Sequence, residues 1–281
     1  MTIRDILVHL DQGPGALARI ELAARLAQRH AAHLVGLFVV DVPLPLFIGG
    51  EVGGAAVAAE LLTELRDAAL ADANDLEPRF QERLSRDSIP GEWRQPEGIT
   101  PAQIALHGRY ADLLVVGQGD AQGAGPMPGL AAEAALFGSG RPVLVVPHTW
   151  AGGTVGKRVL IAWNASREAS RAVHDALPLI AGAESVTVLT INAEATAEGH
   201  GEEPGADIAR HLARHGLKVT ARRVAGSEMA AGDIMLNEAS DLGADLLVMG
   251  AYGHSRLREV VLGGATRTIL ASMTVPVLLS H

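Results

Sequence analysis

The chain repeats itself, and that repetition limits its possible folds more than any other feature. Ala111-Asp112-Leu113-Leu114-Val115-Val116-Gly117 returns as Ala244-Asp245-Leu246-Leu247-Val248-Met249-Gly250. Downstream, Arg141-Pro142-Val143-Leu144-Val145-Val146 returns as Val275-Pro276-Val277-Leu278-Leu279-Ser280 at almost the same separation. Near the start, Ile6-Leu7-Val8-His9-Leu10-Asp11 is matched by Val159-Leu160-Ile161-Ala162-Trp163-Asn164, which lies farther along than the other pairs imply. The first copy therefore holds extra residues, most simply within Gly49–Arg86, and the boundary between copies falls near Thr149–Gly156. We read two domains, 1–150 and 151–281, and 281 residues suffice for two compact cores.

Each repeated segment is a short apolar run bounded by turn residues, the pattern of a strand buried on both faces. The expected strands are Asp5–Leu10, His33–Val40, Gly91–Gln95, Asp112–Val116 and Val143–Val146, then Arg158–Trp163, Ser185–Ile191, Lys218–Val224, Asp245–Met249 and Val275–Leu279. Helical spacing of apolar residues marks Ala16–His30 and Ser166–Leu179, with Ser166 as an N-cap, and Ala55–Leu84 reads as one long helix or a broken pair. Strands alternating with helices, too far apart for hairpins, pair in parallel through right-handed crossovers. The fold class is α/β: two tandem doubly wound domains, each with a five-stranded parallel sheet. Ligands of such sheets bind beyond the carboxyl ends of the strands, which directs attention to the loops after strands 1, 2 and 4.

Composition narrows the chemistry. With no cysteine, the chain has no disulfide, thiolate metal site or thiol nucleophile. Aromatics at 3% and a net charge of −9 disfavour nucleic acid, which needs stacking platforms and cations. The most apolar stretch, Leu34 to Gly50, is broken by Asp41, Pro43 and Pro45 and is too short for a membrane helix. Met1-Thr2-Ile3-Arg4-Asp5 leads straight into Ile6-Leu7-Val8 without a cleavable apolar segment, so the expected location is the cytoplasm.

After the second-half strand 4 comes a glycine-rich loop. Gly250 and Gly253 lack a Cβ, so the backbone can turn tightly and approach a ligand, and Gly263-Gly264 precede a final helix over Ala265–Ser272. The first N–H groups of that helix have no internal partner and carry the positive end of its dipole, which suits phosphate. Thr266 can add a hydroxyl, and His254 could meet phosphate when protonated.

Glycine, two residues, glycine, nine residues, glycine, then a small residue: with this loop, and with the repeat spanning both halves, the chain resembles a tandem universal stress protein, two copies of the UspA-type domain. The resemblance implies strand order 3-2-1-4-5 and an ATP site in the second domain, with Mg as a possible companion. It places Asn164 near base and ribose, Ile191 on the adenine slot, and Met249, Gly250, Gly253, His254, Gly263, Gly264, Ala265 and Thr266 on the phosphate side. Asn164 stands where the family usually has aspartate, Gly264 where it has serine or threonine, and Trp163 is bulkier than usual. The family pairs domains through the strand-5 edge, which a tandem chain can do internally, and a homodimer or protein partner is also implied.

The first half has lost the loop. Asp120 stands three residues after Gly117, and Phe137-Gly138-Ser139-Gly140 lacks a helical start because Arg141-Pro142 begins the last strand at once. No nucleotide is expected there. Gly117-Gln118-Gly119 imitates a dinucleotide fingerprint but follows the wrong strand, and Gly156-Lys157 imitates a Walker loop without its first glycine or hydroxyl residue. His211 and His215 share a helical face, but spacing fixes no third ligand, so no metal is expected. No Gly-x-Ser-x-Gly nucleophile elbow occurs, and no lysine of the P-loop kind or arginine finger can be placed, so at most slow ATP hydrolysis is expected, with no assigned catalytic residue. Two functions remain open: an ATP-binding regulatory stress-response protein using the second domain, or an interaction module without nucleotide that acts through its dimer surfaces.

Overall fold

The computed structural model describes residues 2–13, 15–42, 54–119, 130–193, 203–251 and 263–281. The first half runs β1 (Asp5–Leu10), α1 (Ala16–His30), β2 (His33–Phe38), α2 (Gly54–Arg86), β3 (Gly91–Arg94), α3 (Thr100–Gly108), β4 (Leu113–Gly117), α4 (Leu130–Ser139) and β5 (Val143–Val146). The second half repeats the plan with β6 (Arg158–Ala162), α5 (Arg167–Ile180), β7 (Ser185–Ile191), α6 (Ala206–Arg214), β8 (Val219–Val224), α7 (Ala231–Asp241), β9 (Leu246–Gly250), α8 (Gly264–Ser272) and β10 (Val277–Ser280).

The two expected sheets merge into one of ten strands, ordered β3-β2-β1-β4-β5-β10-β9-β6-β7-β8. Each half keeps the order 3-2-1-4-5 and pairs in parallel, and the halves meet where β10 runs antiparallel to β5, Val277 opposite Val145 and Leu279 opposite Val143. The strand-5 edge is thus consumed inside the chain. On one face lie α1, α2, α5 and α6, over a core that includes Val8, Phe80, Ile161 and Val173. On the other lie α3, α4, α7 and α8, over Leu7, Leu136, Leu247 and Ile269. Inner strands are apolar throughout because both faces are covered; every residue of β4 is buried.

The repeated aspartate holds each first strand in place. Asp112 accepts the N–H groups of Arg4 and Asp5. Asp245 accepts those of Gly156, Lys157 and Arg158 and the hydroxyl of Thr154, at 2.8–3.0 Å. The Walker look-alike is therefore a structural turn, with Gly156 at φ +85° and its backbone packed on Leu179. Gln118, in the dinucleotide look-alike, is buried and clamps the halves: its Nε2 donates to the carbonyls of Leu270 and Ala271, and its Oε1 accepts from the His148 N–H. One expectation needs correcting. A helix, α4, does precede β5, and Phe137-Gly138-Ser139 is its last turn, with the Ser139 hydroxyl donating to the Ala135 carbonyl.

Candidate functional site

The carboxyl ends of β6, β7 and β9 lie side by side, because β6 pairs with both neighbours: Ala162 opposite Leu189 and Met249. This is where strand order reverses in the second half. Strand alternation sorts the side chains. Ala162, Leu189, Met249 and Ala251 pack on the α7/α8 side, joined by the half-buried Ile191. Trp163 goes to the opposite side and packs on the α5/α6 core, so its bulk is directed away from the face that carries Ile191.

After β6 the chain turns sharply. Asn164 is exposed, and its Oδ1 accepts both the N–H (3.2 Å) and the hydroxyl (2.7 Å) of Ser166. Ala165 sits between them at φ +58°, and Ser166 caps α5 by accepting the Ala169 N–H at 3.1 Å. The Asn164 side-chain nitrogen makes no hydrogen bond among the described residues, so it keeps a donor. At the end of β7, Asn192 ties down the loop after β8 by two bonds to the Ser227 backbone.

α8 begins at the same sheet edge, because it runs against β10, whose Ser280 pairs with Gly250. Gly263 is its N-cap, and among the described residues no side chain caps the helix and a Cβ placed on either Gly263 or Gly264 would meet nothing within 4 Å. Arg267 N–H is the first to bond back, to the Gly263 carbonyl at 3.0 Å. The three N–H groups before it, those of Gly264, Ala265 and Thr266, are the donors a helix start leaves open. Gly264 is exposed, Ala265 half-buried and Thr266 buried at 3% exposure.

Gly250 has a packing role. A Cβ there would lie 2.4 Å from the Ala169 nitrogen and 2.5 Å from the Glu168 carbonyl carbon. Its missing side chain admits the first turn of α5. Gly253 and His254 lie outside the described residues, as does Asp120.

The equivalent edge of the first half is filled from within. His9 occupies the place of Ala162, and its ring is buried, with Nδ1 lacking a hydrogen bond. Asp11 occupies the place of Asn164, but its Oδ1 is held at 2.5 Å by the guanidinium of the buried Arg19. Burial alone would raise the Asp11 carboxyl; the charges of Arg19 and His9 and the bonds from Arg19 and Gly13 outweigh it, and the net shift is downward. Arg19 also covers Gly117, where a Cβ would lie 2.5 Å from its Nη1. Sequence reasoning missed this plug, although an arginine on the apolar side of α1 was its signal.

The histidine pair does meet. The His211 ring lies 4.8 Å from that of His215 and 5.3 Å from that of His174 on α5. Among the described residues no group of three or more His, Asp or Glu side chains is arranged to hold a metal ion. Nor is any described helix long and apolar enough to cross a membrane.

Residues 156–281 match the Universal stress protein family. Over its length the chain is similar to the universal stress protein Slr1230 of Synechocystis sp., 25% identical over 304 residues that cover 98% of this chain and 99% of that one. Among solved structures it resembles a universal stress protein of Archaeoglobus fulgidus, with TM-score 0.72 and 17% identity over 99% of this chain and 96% of that one. A Pseudomonas aeruginosa protein described as functionally unknown has TM-score 0.58 at 16% identity, over 99% of this chain and 92% of that one. The likeness in fold spans both halves.

Proposed function

Starting from a universal stress protein domain at residues 156–281, we propose that the second half binds ATP and that the protein is a nucleotide-responsive regulator. The observation that carries this reading is the start of α8, which among the described residues is uncapped and bare of side chains over Gly263 and Gly264, at the edge where strand order reverses. Phosphate placed there gains charge-assisted bonds from main-chain N–H groups and the favourable end of the helix dipole. Asn164 offers its side-chain N–H₂ to ribose or base, and Ile191 and Met249 give an apolar wall on the α7/α8 side. Gly253 and His254 complete the phosphate side in this proposal. Domain 1–150 then serves as a scaffold and interaction domain, a reading favoured by the Arg19 plug over Gly117. The proposed role is binding, with at most slow hydrolysis of the nucleotide.

Calorimetric titration of ATP tests the reading, and a proline makes the test specific. Gly264 is the first residue of α8, and Gly263 before it has φ −55° and ψ 141°, a conformation that proline accepts in its predecessor. Gly264→Pro therefore keeps the helix and deletes one N–H donor. Losing a bond to a charged group costs about 1.5–3 kcal/mol, so affinity should fall about tenfold or more. Heatless titration of the unaltered protein at millimolar ATP, or unchanged affinity in Gly264→Pro, would remove α8 from the reading.

A further inference from the structure

Helix α2 outruns everything it packs against. Its 33 residues make a rod of about 50 Å, whereas β2 beneath it has six residues and spans about 20 Å. The C-terminal portion is seated, with Ala73, Leu76, Phe80 and Leu84 buried in the core. Toward the start of the helix each four-residue step, through Ala69, Leu65 and Leu61, rotates about 40° away from that seated face, which brings the two leucines onto the strip that carries Asp72 and Arg79. Yet Leu61 and Leu65 are 45% and 39% exposed. Propensity alone does not call for a leucine seam on a solvated helix; glutamate or lysine would serve as well.

Where the overhang reaches the body of the protein, a groove of about 440 Å³ opens between α2, the start of α1 and the turn after β1, walled by Ala16, Leu17 and Leu76, edged by Asp72, Asp75 and Arg79, and closed at one end by Asp11, Gln12 and Gly13. Leu17 is itself 48% exposed. Asp75 is paired with Arg79, whereas Asp72 has no hydrogen bond or ion pair among the described residues. Partial burial and the neighbouring Asp75 raise its carboxyl above the usual carboxylate range. Along this stretch Glu60, Glu64, Asp67, Asp72 and Asp75 face a single base, Arg66, which is already paired with Glu97.

The two leucines stand in line with the residues of α2 that line the groove, and the surrounding charge selects the occupant. A second copy of the chain would set acid against acid, and an anionic bilayer would be repelled. A helix with a leucine-type seam flanked by lysine or arginine satisfies both the apolar stripe and the unpaired carboxylate. We propose that Leu61 and Leu65 of α2, with the groove below them down to Asp72, form a docking surface for a basic amphipathic helix of a partner protein. This surface lies on the first half and does not depend on nucleotide in the second.

The probe is a fluorescein-labelled leucine–lysine peptide with leucines at heptad spacing, measured by anisotropy against the full chain. A scramble of the same composition is the control. Saturable binding of the heptad peptide, weakened about tenfold or more in Leu61→Glu/Leu65→Glu and several-fold with a shallower salt dependence in Asp72→Asn, supports the proposal. Leu61→Ser/Leu65→Ser, checked by circular dichroism, keeps the test valid should the glutamates disturb α2. Equal binding of the scramble, affinity unchanged in the leucine variants, or no binding at all overturns it. So does a dimer in sedimentation that those variants dissociate, because the surface would then belong to a second copy.

Discussion

Acid titration probes the buried imidazole of His9 directly. The ring is fully enclosed, so desolvation disfavours its charged form. Asp11 pulls its pKa upward and Arg19 pushes it down, and the outcome is a pKa lowered from 6.5 to about 4. Above pH 6.5 neither the folded nor the unfolded chain protonates this ring, and its contribution to stability is intact. Between 6.5 and 4 the unfolded chain binds a proton that the native chain refuses, and stability falls by about 1.4 kcal/mol per pH unit, about 3 kcal/mol in all. Below pH 4 both states are charged and this loss stops growing. Carboxylates held below their usual range, Asp11, Glu21 and Glu168, also lose stability as acid protonates them, so a comparator is needed. His9→Gln removes the titration at similar size. Urea midpoints followed by far-UV circular dichroism, at half-unit steps of pH, should show the unaltered protein losing about 3 kcal/mol more than the variant between pH 6.5 and 4. Parallel curves for the two proteins would refute the assignment of a neutral, sealed His9.

The repeated aspartates should rank by the number of N–H groups they hold. Asp245→Ala strands three N–H groups and a hydroxyl and should cost about 2–4 kcal/mol, more than Asp112→Ala, which strands two N–H groups; chemical denaturation orders the pair, and the reverse order would contradict the geometry. Gly250→Val drives a side chain into the first turn of α5 and should destabilise by about 1–3 kcal/mol or more, whereas Gly263→Ala, in open space, should be close to neutral by the same measurement. Phe80→Ala empties a fully buried site against Trp93 and should cost about 3–5 kcal/mol, with a change in tryptophan emission as an independent readout.

Much of the architecture was legible because the repeat exposed it. β1, α1, β5 and β7 occur with the boundaries expected from apolar spacing, and most other strands differ by a residue or two where the ladder outlasts the apolar run or stops short of it. β9, for instance, takes in Gly250, which pairs with Ser280. The union of both halves in one sheet followed from the strand-5 edge, a property of the resemblance and not of hydrophobic pattern. Helix α4 was not legible because Leu130–Phe137 is almost uniformly apolar and shows no periodic face. At the site, the start of α8 was readable from Gly263-Gly264. The role of Gly250 was not, since no local pattern announces that α5 will cross it. Arg19 and Gln118 act across stretches of chain that spacing cannot connect, so their partners emerge only in three dimensions.

The antiparallel joint between β5 and β10 has a consequence for stoichiometry. Two separate subunits joined at that edge would come apart on dilution and would have to be identical to pair with themselves. Covalent linkage frees the halves from both conditions. One can seal its crevice with an arginine while the other keeps a bare helix start, and every molecule carries one of each, whatever its concentration in the cell.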